Sequence, residues 1–362
     1  MRHKNLMFRS IIGLAALAML STAARADNFM IQVEVGGQRL EGRPLSHSNQ
    51  QVELMLRDGQ YVTFRPNEAR NFRQTSPRFR SYSASEMRSR LADEFGAKFS
   101  ITGTGHYLVV HPRGQKDLWA RRFEDLYRDV VHYFSVRSYR LNTSQFPLVA
   151  IVWPNEQDFR RNAARSGISI SSSVIGYYYP ISNRINLYNA ANSKNDRAGW
   201  KQNADTIIHE AAHQTAFNTG VHARFADTPK WVIEGLGTMF EAPGVYSSRE
   251  YRSQRDRFNN GRLSDFKAQT KKRQKGFLVD LISSDDLFES DAAQAYAQAW
   301  ALTFWLVETR PRQYSQYLAL TAKLEPGEVY SAAARMKDFT SVFGDNFKMH
   351  EARFTRFMQN VK

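Results

Sequence analysis

The chain has 362 residues with 50 Lys and Arg against 35 Asp and Glu, a formal charge of +15, and no cysteine. That length suits one large domain with lobes, or two domains. The missing thiols exclude a disulfide framework, a thiolate nucleophile and cysteine metal ligands.

The N-terminus reads as a removable leader. Arg2, Lys4 and Arg9 precede an apolar run from Ile11 to Leu20, and Ala24-Arg25-Ala26 supplies the small residues of a cleavage site. This is the pattern of a secretory signal peptide over residues 1–26, too short for a transmembrane helix. No cysteine follows it, so a lipid-anchored maturation is excluded. Its removal deletes four basic and no acidic residues, leaving 336 residues and a charge of +11 (+15 less four). A periplasmic or secreted location is expected, with no membrane span in the mature chain. The basic residues are spread along the chain and read first as solvated surface, with an anionic cell-envelope polymer as the candidate partner. No nucleic-acid motif accompanies it, so nucleic acid is not expected.

Residues 27–66 read as a small β module: Phe29 to Val35 and Val52 to Leu56 alternate, Gly36-Gly37 turns the chain, and Asp58-Gly59 is a hairpin signal before Tyr61 to Phe64. The Arg- and Ser-rich stretch 67–81 is expected to be a linker. A catalytic core over 82–245 follows. Ser83-Ala84-Ser85-Glu86 is a capping box that opens a helix ended by Gly96. Tyr107 to Val110 reads as a strand, Leu118 to Phe134 as an amphipathic helix, and Leu148 to Trp153 as a buried strand. A helix from Asn155 to about Gly167 comes next. Residues 175–188 predict an aromatic hairpin around Asn183-Arg184, with Pro180 at an edge or turn. Residues 246–362 form a helical C-terminal lobe, with helices expected over Ala292–Glu308 and Phe347–Met358.

Within the core, Ala198 to Asn218 is expected to be one helix carrying His209-Glu210-Ala211-Ala212-His213. In a helix the two histidines share a face one turn apart, so both imidazoles can reach one metal ion. Glu210 is rotated by about 100° from them, where it can accept a proton from water instead of binding the metal. A hydrolytic metal needs three protein ligands and one open position. Glu234 is the candidate third ligand, in the second turn of a helix whose expected N-cap is Thr228 and whose first residue is Pro229.

The histidine pair with a glutamate on the following helix resembles the gluzincins, the thermolysin-like or peptidase-MA-like zinc metallopeptidases. The run from Thr206 to Glu241, with Asn218-Thr219-Gly220 and Trp231-Val232-Ile233-Glu234-Gly235, is also similar to a family of exported bacterial proteins of unknown function. The resemblance implies one Zn²⁺ per chain at His209, His213 and Glu234, and a peptide or protein substrate. It further implies an α+β zincin-like domain, a helix-covered mixed sheet plus a helical lobe. Glu210 would be the general base, and Tyr296 resembles the downstream tyrosine that donates to the oxyanion, with His222 the other candidate donor. For the carboxylate behind a metal-bound histidine, Thr238 stands at the family's position, and Glu241 or Asp227 is expected to substitute. Gly237 replaces a common alanine, a change expected to matter little. The hairpin before the active helix is expected to flank the cleft. Two other readings fit the same residues: a non-catalytic, zinc-containing envelope-binding protein, and a zinc amidase acting on cell-wall peptide bridges.

Overall fold

The computed structural model describes residues 28–114, 119–191, 193, 195–270 and 273–361; the signal-peptide segment and Leu118 lie outside the described residues. It is a mixed α+β structure with an N-terminal β module and a helical C-terminal region. Two compact units divide between residues 87 and 88. No helix among the described residues is long and apolar enough to cross a membrane.

The first unit is a five-stranded antiparallel sheet in the order β4-β3-β2-β1-β5. Its strands are β1 (Met30–Val35), β2 (Gln38–His47), β3 (Val52–Leu56), β4 (Tyr61–Phe64) and β5 (Ala69–Ser76). Ile31, Val33, Val52, Leu54 and Phe64 form its core. Two strands depart from the sequence reading. β2 contains Gly42 and Pro44, which read as breakers. In the sheet, Pro44 sits at a register shift, and a Cβ on Gly42 would lie 2.3 Å from the Met55 carbonyl oxygen. Both residues therefore serve the strand: proline at an irregularity and glycine at a close backbone approach. β5 occupies the stretch expected as linker. It is an edge strand, mostly exposed, so it carries no alternating apolar signal.

The second unit holds a mixed sheet in the order β6-β7-β8-β10-β9. These strands are β6 (Phe99–Gly103), β7 (Tyr107–Pro112), β8 (Leu148–Trp153), β9 (Gly176–Tyr179) and β10 (Arg184–Tyr188). β7, β8 and β10 run parallel, and β6 and β9 add antiparallel at the two edges. β7 and β8 are nearly continuous buried apolar runs, as strands covered on both faces must be, whereas β10 buries only Ile185, Asn186 and Leu187 between its part-exposed ends. The connecting helices are α1 (Ala84–Phe95), α2 (Ala120–Ser135) and α3 (Glu156–Arg165), the last capped by Asn155 Oδ1 accepting from Asp158 N at 2.9 Å. The predicted capping box at α1 is present in both directions: Ser83 N donates to Glu86 Oε2, and Glu86 N donates to Ser83 Oγ.

After the β9–β10 hairpin come α4 (Arg197–Asn218), α5 (Lys230–Phe240) and the short α6 (Pro243–Tyr246). The remaining helices are α7 (Asn260–Ala268), α8 (Phe277–Ser283), α9 (Asp286–Ser290), α10 (Ala292–Thr309), α11 (Pro311–Thr321), α12 (Ala332–Phe343) and α13 (Phe347–Asn360). One continuous core links sheet and helices, and α10 runs through it with every residue from Ala297 to Leu306 buried.

Candidate metal centre

Helix α4 is fixed at both ends and along its buried side. Asp196 Oδ1 accepts from Gly199 N at 2.9 Å to cap the start, and Gly220 at φ +80° follows the end. Buried Gln214 donates through Nε2 to the Val149 and Asn183 carbonyls at 3.1 and 2.7 Å, tying the helix to β8 and to the hairpin turn. Asn203 accepts from Ala190 N and donates to Asn189 Oδ1. A buried amide must find such partners or lose about 1–3 kcal/mol, so these side chains hold the helix in one position on the sheet.

Helix α5 crosses against α4 on one side and α10 on the other, and two glycines permit it. A Cβ on Gly235 would lie 2.2 Å from Thr303 Oγ1 and 2.7 Å from the Ala299 carbonyl oxygen of α10. A Cβ on Gly237 would lie 2.7 Å from His213 Cε1 and 3.0 Å from His209 Cε1. Positions two apart on a helix point nearly opposite ways, so one glycine serves each neighbour. The expectation that an alanine at 237 matters little is therefore corrected: the imidazoles occupy the space a methyl would need. The cap of α5 also differs from expectation. Pro229 is the extended N-cap residue and Thr228 makes no cap bond; its hydroxyl lies 3.4 Å from the Ala223 carbonyl. Asp285 Oδ1 instead accepts from Lys230 N at 2.9 Å. Its carboxylate arrives from a segment 55 residues away, so no local pattern announces it.

These two helices bring His209, His213 and Glu234 together with one ligand atom each, all within 4.8 Å of one another. The two Nε2 atoms are 2.9 Å apart, and Glu234 Oε2 lies 3.3 Å from His209 Nε2 and 3.4 Å from His213 Nε2. Two ligands about 2.05 Å from a tetrahedral ion would be ~3.3 Å apart, so the cluster is close to the size zinc requires. Glu234 Oε2 is buried without a hydrogen bond, an orphan that an ion would satisfy. Burial opposes the charge on Glu234, yet His213 and His209 outweigh it and hold the carboxyl well below the usual range. Burial likewise opposes a charge on His209, but Glu234 and Glu241 push its pKa well up.

Glu241 is the carboxylate behind the histidine. His209 Nδ1 donates to Glu241 Oε1 at 2.8 Å, so when the ring gives up a proton to bind a metal, Nε2 is the nitrogen left with the lone pair. Glu241 Oε2 in turn accepts from Asn259 Nδ2 at 2.6 Å, and the same amide reaches the Thr238 carbonyl. Asp227, the other expected carboxylate, is elsewhere: it accepts from Tyr330 N and pairs with Arg335. Thr238 donates to the Glu234 backbone carbonyl at 2.6 Å and does not contact the histidines through its hydroxyl.

Glu210 lies beside the candidate ligands. Its Oε2 accepts from Tyr178 N of the edge strand β9 at 2.6 Å, and burial raises its pKa against the pull of His209 and His213. Tyr296, on α10, has its ring 6.4 Å from that of His209. Burial and the Glu234 and Glu210 carboxylates push its phenol far up, so it remains a donor. His222 is 2% exposed, and neither ring nitrogen has a hydrogen-bond partner. Burial, with the nearby His213, pulls its pKa down to about 3, leaving a neutral imidazole. The predicted hairpin is β9–β10, with Pro180 in its turn; the Pro180 carbonyl accepts twice from the Arg224 guanidinium, at 2.8 and 2.6 Å.

Residues 203–328 match the model of a family described as "Protein of unknown function (DUF1570)". No curated protein matches the chain. Among solved structures, an M1 zinc metallopeptidase from Deinococcus radiodurans is similar at 14% identity and a TM-score of 0.40, covering 71% of this chain and 50% of that one. A mutant of the M1 enzyme from the same organism, bound to a Tyr-Ser-Ala substrate, is similar at 15% identity and a TM-score of 0.38, covering 70% and 50%. The chain thus spans about half the length of the solved structures it matches.

Proposed function

We propose that this protein is an exported zinc-dependent peptidase, with His209, His213 and Glu234 holding the ion. The observation that carries the reading is the convergence of three ligand atoms from α4 and α5, with Glu210 alongside and Glu241 behind. Export rests on the leader pattern of residues 1–26.

Zinc, when bound, supplies Lewis-acid polarisation of a carbonyl and a water acidic near neutral pH. Glu210 then takes the proton of the attacking water at its carboxylate and passes it to the nitrogen of the leaving amine. The Tyr296 phenol donates to the carbonyl oxygen as charge develops there. His222, neutral across the working pH range, offers a second N–H donor close to the centre. Strand β9 ends the sheet beside Glu210, so an extended peptide adding to that edge would run past the carboxylate.

The test is metal content and peptide hydrolysis in wild type and Glu210→Gln. The proposal expects about one zinc per chain in both, hydrolysis by wild type, and loss of at least a hundredfold in the variant. Stoichiometric zinc with no cleavage across a broad peptide library would refute the catalytic reading and favour a binding protein. Cleavage confined to purified peptidoglycan would identify the cell-wall amidase.

A further inference from the structure

Helix α7 brings two side chains to the candidate centre from a single turn. Asn259, its N-cap, clamps Glu241. Arg262, three residues on, places its guanidinium carbon over the Tyr296 ring, 5.1 Å from the centroid. Among the described residues that guanidinium makes no side-chain hydrogen bond. Its nearest carboxylate is Asp265 at 3.8 Å, and that side chain is 49% exposed. The arginine is itself 28% exposed. A guanidinium has five in-plane donors, and its cation–π contact with the ring at 5.1 Å gives them no oxygen acceptor.

The surroundings give this cation a purpose. Glu210, Glu234 and Glu241 bring three carboxylates to the centre, more negative charge than one bound Zn²⁺ offsets, so a substrate carboxylate approaching it gains from a further fixed cation. Arg262 is such a cation: it makes a cation–π contact with Tyr296 and lies close enough to Glu241 to favour that carboxylate's charge without hydrogen-bonding it. From the His209 ring to the Tyr296 ring is 6.4 Å, and from there to the guanidinium is 5.1 Å. At ~3.3 Å per extended residue, those two spans amount to three or four residues of peptide at most.

We propose that Arg262 recognises a carboxylate of the substrate lying within about three residues of the scissile bond. The carboxylate is either the free C-terminus of a peptide or an acidic side chain. A planar, two-pronged donor matches a carboxylate better than any neutral group. The identity of the ligand as a peptide rests on the peptidase reading above.

The experiment uses zinc-loaded full-length protein and matched peptide twins. One series compares the C-terminal acid with the amide; the other scans Glu against Gln at single positions with the C-terminus blocked. The readout is the ratio of kcat/KM for each carboxylate peptide to that of its neutral twin. Wild type is expected to favour one series by roughly ten- to a hundredfold, the worth of a charged hydrogen bond. Arg262→Ala brings that ratio close to one, and Arg262→Lys keeps part of it. The series that responds names the source of the carboxylate. A wild-type ratio near one in both series, or an undiminished ratio in Arg262→Ala, overturns the proposal. The same twins are also measured for binding to zinc-loaded Glu210→Gln, with and without Arg262→Ala. Charge-selective, Arg262-dependent binding without any cleavage by wild type counts against the peptidase reading alone. Equal binding of the twins overturns the role of Arg262.

Discussion

Replacing Gly237 with alanine tests the geometry of the centre most directly. The new methyl carbon would start 2.7 Å from His213 Cε1 and 3.0 Å from both His213 Nε2 and His209 Cε1. Carbon atoms rest at about 3.5–4.0 Å, so the rings must retreat by most of an ångström. Overpacking of this kind costs about 1–3 kcal/mol. The helix regains about 1 kcal/mol because alanine is the better helix former. The metal-free protein should therefore be changed in stability by only about 0–2 kcal/mol, the difference of those terms. The retreat moves both Nε2 atoms from their place opposite Glu234, and zinc affinity should fall roughly ten- to a hundredfold, as when a ligand's orienting partner is lost. Chelator competition gives the affinity, and thermal melts with and without zinc give the stability. Gly235→Ala is the contrast. Its methyl would meet the Ala299 carbonyl of α10, which is backbone and cannot swing aside. Destabilisation of about 2 kcal/mol, the upper end of the same difference, is expected there. A Gly237→Ala protein with wild-type zinc affinity would refute the argument that the rings lean on this glycine.

Glu241→Ala should lower zinc affinity roughly ten- to a hundredfold by freeing the His209 ring, whereas Asp227→Ala should leave it unchanged in the same competition assay. Asp285→Ala removes the α5 cap and a partner of buried Arg335, whose Nη2 lies 3.0 Å from Asp285. A loss of about 3 kcal/mol is expected in denaturant melts, against less than about 0.5 kcal/mol for Thr228→Ala at the position that local pattern favours. Glu124 receives bonds from Thr104, His106 and Arg128. Burial opposes its charge, but these donors outweigh it and bring the carboxyl down to about 2 from the ordinary 4.5. A depressed pKa contributes stability above pH 4.5 that is lost as pH falls toward 2, about 3 kcal/mol in full. Glu124→Gln should remove that part of the acid slope in melts taken between pH 5 and 2; an unchanged slope would refute the assignment.

The features legible in the chain itself are those whose signal is local. The His209–His213 spacing is one helical turn, Asn155 and the Ser83–Glu86 box cap their own helices, and the buried strand Leu148–Trp153 is a continuous apolar run. Each of these depends on neighbours a few residues away, where backbone periodicity alone decides which side chains meet. Glu234 was reachable because only the end of α4, a loop and the first turn of α5 separate it from His213. β2 and β5 escaped because Gly42, Pro44 and the exposed arginines read as irregular until a partner strand is present.

Tertiary structure alone decided the rest of the centre. Choosing Glu241 over Asp227 depends on where α5 ends relative to the His209 ring, 32 residues back in the chain. The cap from Asp285, the clamp from Asn259 and the cation–π contact of Arg262 with Tyr296 join segments with no shared periodicity. The glycines show the division most plainly. Gly235 and Gly237 look like two poor helix formers in a row of good ones, and propensity would count both as defects. Only the packing of α5 between α4 and α10 reveals the physical reason for them, which is that the space beside each α-carbon is already filled, by a backbone carbonyl in one case and by two imidazoles in the other.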